Sequence, residues 1–119
     1  MVFDKKSLPE PIYLDQVQIP GGLWENRQSA NRNRTIPAIY NKLQETGRID
    51  AWKMNPDRTI PGRRSVIYMF FDSDTGKWVE AAAYSLHTHP DKALEKQVDD
   101  LIDLVESAQE DDGYLNTFF

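Results

Sequence analysis

The 119-residue chain contains no cysteine. That absence excludes disulfides, cysteine-based zinc sites and thiolate nucleophiles within it. No apolar run approaches the roughly 20 residues of a membrane-spanning helix, so no membrane partner is expected. The opening residues, Met1-Val2-Phe3-Asp4-Lys5-Lys6, lack the apolar stretch of a secretory signal. A cytoplasmic location is therefore the default expectation, with an outside location only if the start is incomplete. Basic residues are too few to balance the acidic ones: 14 Lys and Arg against 19 Asp and Glu give a net charge of −5. Such a surface repels phosphate backbones, and no nucleic-acid partner is expected. There is also no glycine-rich phosphate loop, no repeat, no low-complexity tract and no Ser/His/Asp arrangement.

What is present suits one globular domain. Hydrophobic residues make up 39% and aromatics 11%, too many for a disordered tail. A chain of this length buries roughly two-thirds of its unfolded surface. Residues 1–11 carry Pro9 and Pro11 and read as an extended lead-in. In residues 12–19, Val17 and Ile19 alternate with Gln16 and Gln18, the pattern of a short half-buried strand. Pro20-Gly21-Gly22 stops it. From Leu23 to about Thr46, Ile36, Ile39, Tyr40 and Leu43 recur at helical spacing. Pro37 lacks an N–H, which predicts a kink or a fresh helix start near Thr35, and Gly47 suits the C-terminal stop. Residues 48–71 hold Asn55-Pro56-Asp57 and Pro61-Gly62 and read as a long irregular loop. Its last six residues, 66–71, are apolar and suit either a strand or packed loop.

Two stronger helices follow. Lys77 to Leu86, with its three alanines, predicts a buried helix over 74–86, for which Asp72, Ser73, Asp74 and Thr75 offer N-caps. His87 to Asp91 forms a turn. Between about Pro90 and Gln109, Leu94, Val98, Leu101, Ile102, Val105 and Ala108 make one apolar stripe, and Asp112-Gly113 closes the helix. The final residues, 114–119, are strongly apolar.

No residue pattern here assembles a catalytic centre. His87 and His89 lie two apart but are too few for a metal without placed carboxylates, and helix-end histidines are the simpler reading. Asp72-Ser73-Asp74-Thr75-Gly76 opens like a calcium loop, yet position five is Gly76 and position twelve Ala83, so no metal site is assigned. Those carboxylates either cap the helix or meet a hydroxylated ligand at its N-terminus. Asp99 with Asp100, and Asp111 with Asp112, are adjacent pairs whose side chains point apart on a helix, and the first pair reads as a solvated face. Arg27, Arg32, Arg34, Arg63 and Arg64 suit ion pairs better than a nucleic-acid footprint. Trp78 suits the core, whereas Trp52 suits either the core or a sugar-stacking role.

Longer blocks carry a family resemblance. Gly22-Leu23-Trp24-Glu25-Asn26-Arg27, Asn33-Arg34-Thr35-Ile36-Pro37 and Leu43-Gln44-Glu45-Thr46-Gly47-Arg48-Ile49-Asp50 follow in order. After them come Phe71-Asp72-Ser73-Asp74-Thr75-Gly76-Lys77-Trp78 and Glu110-Asp111-Asp112-Gly113-Tyr114-Leu115-Asn116-Thr117. Over residues 12–119 the chain resembles the N-terminal region of glycoside hydrolase family 127, the β-L-arabinofuranosidase-like proteins. The resemblance implies a mainly α fold: a partial (α/α)6-barrel segment of about three helices, with a short N-terminal strand and a long loop. It implies a retaining glycosidase whose cysteine nucleophile, glutamate acid/base and zinc ligands all lie downstream. This chain is accordingly expected to hold no catalytic residue and no cofactor, with zinc expected in full-length relatives. Carbohydrate is the implied partner in that full-length context. Asp72 and Asp74 are the first candidates for substrate contact, followed by Asp112 and Tyr114. A freestanding helical module that binds a protein or glycan is the alternative. Alone, the chain is expected to be marginally stable or to self-associate through exposed helix faces.

Overall fold

The computed structural model describes residues 10–53 and 70–117. Four α-helical segments appear: α1 (Gly22–Ala30), α2 (Ile36–Glu45), α3 (Phe71–Thr88) and α4 (Lys92–Ser107). A π-helical turn, Asn31–Thr35, joins α1 to α2, so that residues 22–45 run as one rod. Among the described residues the architecture is three rods, with α3 packed between α2 and α4.

The π turn is how the chain passes Pro37. A proline ring clashes with the carbonyl four residues back and leaves it without a donor. Here the Ile36 N–H donates to the Asn31 carbonyl, five residues back, which widens the helix just before the proline. The helix therefore continues where a kink or a restart was expected.

The strand expected over 12–19 does not form. Leu14–Gln16 is a 3-10 turn, closed by Gln16 N–H to the Tyr13 carbonyl at 3.0 Å and by Tyr13 N–H to Gln16 Oε1 at 2.9 Å. Val17 is extended, but it and Ile19 are exposed, and no strand lies beside them among the described residues. Alternation without a ladder partner does not hold a strand.

The helix over 74–86 begins earlier, at Phe71, and ends at Thr88. None of Asp72, Ser73, Asp74 or Thr75 caps it, because all four lie inside its first turns and Phe70 occupies the cap position. Ser73 Oγ instead donates back to the Phe70 carbonyl at 3.0 Å. Ala82 is fully buried, whereas Ala83 faces solvent. At α4, the Asp91 side chain does cap, accepting from the N–H groups of Ala93 and Leu94 at 2.9 and 3.2 Å. That helix stops at Ser107 rather than Gln109, and Gly113 serves a separate turn beyond it.

The core centres on α3. Ile36 and Leu43 from α2, Trp78 and Ala82 from α3, and Leu94, Val98 and Leu101 from α4 form one buried cluster with Ile49 and Trp52. Trp78 Nε1–H donates to the Ile36 carbonyl at 2.9 Å, and its ring lies 4.7 Å from that of Tyr40. By contrast α1 buries no residue, and Trp24 is 65% exposed. Among the described residues there is thus one well-packed centre, and α1 lies outside it.

Of the expected loop at 48–71, residues 48–53 are ordered as a turn and a 3-10 turn, Asp50–Trp52. Ile49, Ala51 and Trp52 are buried there, which settles Trp52 as a core residue. The pattern at 66–69, like Arg63 and Arg64, lies outside the described residues. The ion pairs expected of Arg27, Arg32 and Arg34 are absent among the described residues.

Candidate functional site

The N-terminus of α3 is held by two segments distant in sequence. From the turn after α2, Arg48 reaches across so that its Nε lies 2.7 Å from Asp74 Oδ2. The Arg48 guanidinium also sits over the Phe71 ring, 4.8 Å from its centroid. Lys77 Nζ stands 3.9 Å from the other Asp74 oxygen, an ion pair without a hydrogen bond. Next to this pair, Trp52 Nε1–H donates to Thr75 Oγ1 at 3.1 Å. The Thr75 hydroxyl, itself buried, is within reach of the Phe71 and Asp72 carbonyls at 3.2 and 2.9 Å.

From the other end of the chain comes Thr117. Its N–H lies 3.3 Å from both Asp72 carboxylate oxygens, and its hydroxyl donates to Asp72 Oδ1 in a short contact. Thr117 is buried and Asp72 half-buried. Because one partner is ionised, these are the stronger class of hydrogen bond. Both carboxylates also lie in the first turn of a helix, where the macrodipole favours negative charge.

The segment before Thr117 is stitched to itself. Gly113, at φ 88°, donates to the Glu110 carbonyl at 2.8 Å, a left-handed conformation that suits glycine. Glu110 N–H donates to the Tyr114 carbonyl at 2.9 Å, and Gln109 Nε2 to the Gly113 carbonyl at 2.9 Å. Asp112 Oδ1 accepts from Tyr114 N–H at 2.9 Å, so this carboxylate shapes the turn while remaining exposed.

The four sequence-predicted residues are therefore only partly brought together. Asp72, through Thr117, is tied to the segment that carries Asp112 and Tyr114. It lines a cleft of about 360 Å³ with Trp52, Thr75, Gly76, Val79 and Leu115. Asp74 lines a different groove, of about 500 Å³, with Arg48, Lys77 and Trp78 between α2 and α3. Two residues apart on a helix are roughly 200° apart around it, which puts the two carboxylates on opposite flanks. Arg48, Trp52, Thr75 and Thr117 complete the arrangement; the sequence offers Trp52 as a core or stacking residue and Thr75 as an N-cap, whereas Arg48 and Thr117 stand there only within longer motif blocks. His87 lies in the last turn of α3 and His89 is its C-cap, the helix-end placement the sequence suggested.

A zinc ion bound by cysteines finds no thiolate in this chain. Among the described residues, no three His, Asp or Glu side chains converge as a ligand set either. The donors present among the described residues do not fit that metal.

The family model for the GH127 catalytic domain of β-L-arabinofuranosidase matches residues 16–119. A non-reducing end β-L-arabinofuranosidase from Bifidobacterium longum subsp. longum is 51% identical over 49 residues, covering 41% of this chain and 7% of that protein. A solved GH127 β-arabinofuranosidase superposes with a TM-score of 0.76 at 36% identity, over 90% of this chain and 17% of that one. The chain thus spans a small part of each relative, and its three rods are a partial segment of their α/α-barrel fold. On the family match and the structural likeness together, the chain belongs to glycoside hydrolase family 127.

Proposed function

We propose that this chain is the N-terminal segment of a retaining glycoside hydrolase acting on β-L-arabinofuranosides, and that it supplies substrate contacts rather than reacting groups. The nucleophile, the acid/base and the zinc site then belong to the rest of the barrel. The cysteine-free composition supports that division. The observation that carries the proposal is the Asp72–Thr117 contact, which joins two motif blocks 45 residues apart at the start of α3.

In this reading, loops at the N-terminal ends of barrel helices face the sugar. Asp72 accepts hydrogen bonds from sugar hydroxyls with the lone pairs left by Thr117, while Asp74, in the groove on the opposite flank, accepts from a different part of the glycan with those left by Arg48. Asp112 and Tyr114 contribute from the stitched turn, Tyr114 through its ring and hydroxyl. None of the four carries a proton in the reaction. Their task is to hold the sugar where groups from elsewhere in the barrel act on it.

The test uses enzyme reconstituted from this chain and the remaining polypeptide of a family member. Asp112 and Tyr114 are exposed, so truncating them leaves the core intact. Tyr114→Ala and Asp112→Ala are each expected to raise KM for an arabinofuranoside about tenfold, the loss of one contact worth roughly 1.4 kcal/mol, with a smaller change in kcat. An unchanged KM in both variants, and in Asp74→Asn, would remove these residues from the site.

A further inference from the structure

A second cleft lies far from the α3 N-terminus and takes no part in the proposed contacts. It is an open cleft of about 520 Å³ between the N-terminal 3-10 turn and the C-terminal half of α3. Tyr13 and Gln16 line one side, and Glu80, Tyr84 and His87 the other. The last three recur at spacings of four and three, so they form a single stripe along one face of the helix. Tyr13 is 64% exposed and Tyr84 59% exposed, so two aromatic rings border one cleft without being consumed by the core.

From this lining we infer that the cleft is a second carbohydrate-binding site, taking a neutral sugar unit remote from the reacting bond. The inference rests on the glycosidase reading above and extends it along the glycan. A sugar ring has an apolar C–H face that packs on an aromatic ring and a rim of hydroxyls that needs donors and acceptors. Tyr13 and Tyr84 provide the first, as aromatic side chains with a polar tip do. The second comes from the Glu80 carboxylate, the His87 ring and Gln16. Gln16 Oε1 is occupied by the Tyr13 N–H at 2.9 Å, which leaves its amide nitrogen as a donor. The volume lies in the range of small-molecule sites. The Glu80 carboxylate selects against acidic sugars, whose charge would oppose it. Along α3, Tyr84 lies ~18 Å from Asp72 at 1.5 Å per residue, so the same sugar unit cannot touch both. The lining residues named here all belong to this chain, so the cleft is testable on it.

The experiment is saturation-transfer NMR on the 119-residue chain with methyl β-L-arabinofuranoside, at about 10 mM to detect affinities of millimolar order. Transfer to the sugar ring protons is expected. Tyr84→Ala and Tyr13→Ala should each reduce it at least fivefold while the helical circular dichroism is retained. Asp99→Asn, on the exposed face of α4 and outside both sites, should leave it unchanged, and D-galacturonate should give no transfer. Absent transfer in the wild-type chain, or transfer unaffected by both tyrosine variants, would overturn the inference. Transfer lost only in Asp72→Asn would also overturn it, while supporting the contact at the α3 N-terminus. Transfer that depends on Tyr84, in a chain whose Asp112 and Tyr114 variants leave KM unchanged, would support this cleft and remove the other site.

Discussion

Trp78→Ala is expected to remove most of the chain's stability at 25 °C. The ring is 3% exposed, packs against Tyr40 and donates to the Ile36 carbonyl, so it joins α3 to α2 through both shape and a hydrogen bond. Removing a buried tryptophan costs about 3–5 kcal/mol. Ordinary domains of this length hold roughly 6–18 kcal/mol in total. With α1 burying no residue, we expect this chain at the low end of that range. Urea denaturation followed by circular dichroism measures the loss. Trp78→Phe keeps the ring contact and loses the N–H, and should cost about 1 kcal/mol. A cost below that for the alanine variant would mean that the α2–α3 core carries little of the stability.

The second large effect concerns the tie between Asp72 and Thr117. Thr117→Val removes the hydroxyl that donates to the carboxylate while preserving volume, and should destabilise by about 1.5–3 kcal/mol, the range for a bond to a charged group. Thr117→Ser restores the hydroxyl and should recover most of the loss. In a double-mutant cycle with Asp72→Ala, a coupling of about 1–3 kcal/mol is expected. Hydrogen exchange adds a local readout: in Thr117→Val the amide of Thr117 should lose protection, whereas the Gly113 amide, bonded to Glu110, should keep it. Additive single-site effects would show that the two residues merely sit close together.

Much of the helical layout was legible in the sequence because helices announce themselves locally. The stripe from Leu94 to Val105 repeats over several turns, and Asp91 stands one residue before its first helical position. The failures came where the deciding partner lies far along the chain. Val17 and Ile19 alternate as strand residues do, but alternation says nothing about whether a second strand exists. Asp72 and Asp74 have the chemistry of N-caps, yet their actual partners are Thr117 and Arg48, 45 and 26 residues away. Had the start of α3 been placed at Phe71 rather than near Asp74, helical geometry alone would have set the two carboxylates on opposite flanks. Pro37 marked the right place in the first rod but not the form of the irregularity, since a widened turn and a break remove the same clash.

At the site, residue types were readable and assembly was not. Asp112-Gly113 signals a turn in any sequence, and Asp112 bonds the Tyr114 N–H as such a turn requires. Thr117 has no comparable local signal. It is a short polar side chain in an apolar stretch, and only its burial against Asp72 gives it a role. Trp52 was equally suited to a core or an exposed stacking position until Thr75 appeared as the acceptor for its N–H.

The most direct measurement is arabinofuranoside hydrolysis by this chain, by the remaining polypeptide of a family 127 enzyme, and by the two combined. p-Nitrophenyl β-L-arabinofuranoside reports turnover as released nitrophenol. We expect no hydrolysis by either part alone, hydrolysis by the mixture, and a weaker mixture when the chain carries Thr117→Val. Hydrolysis by the 119-residue chain on its own, or an inert mixture in which the two parts demonstrably associate, would contradict a segment that contributes contacts to a barrel completed elsewhere.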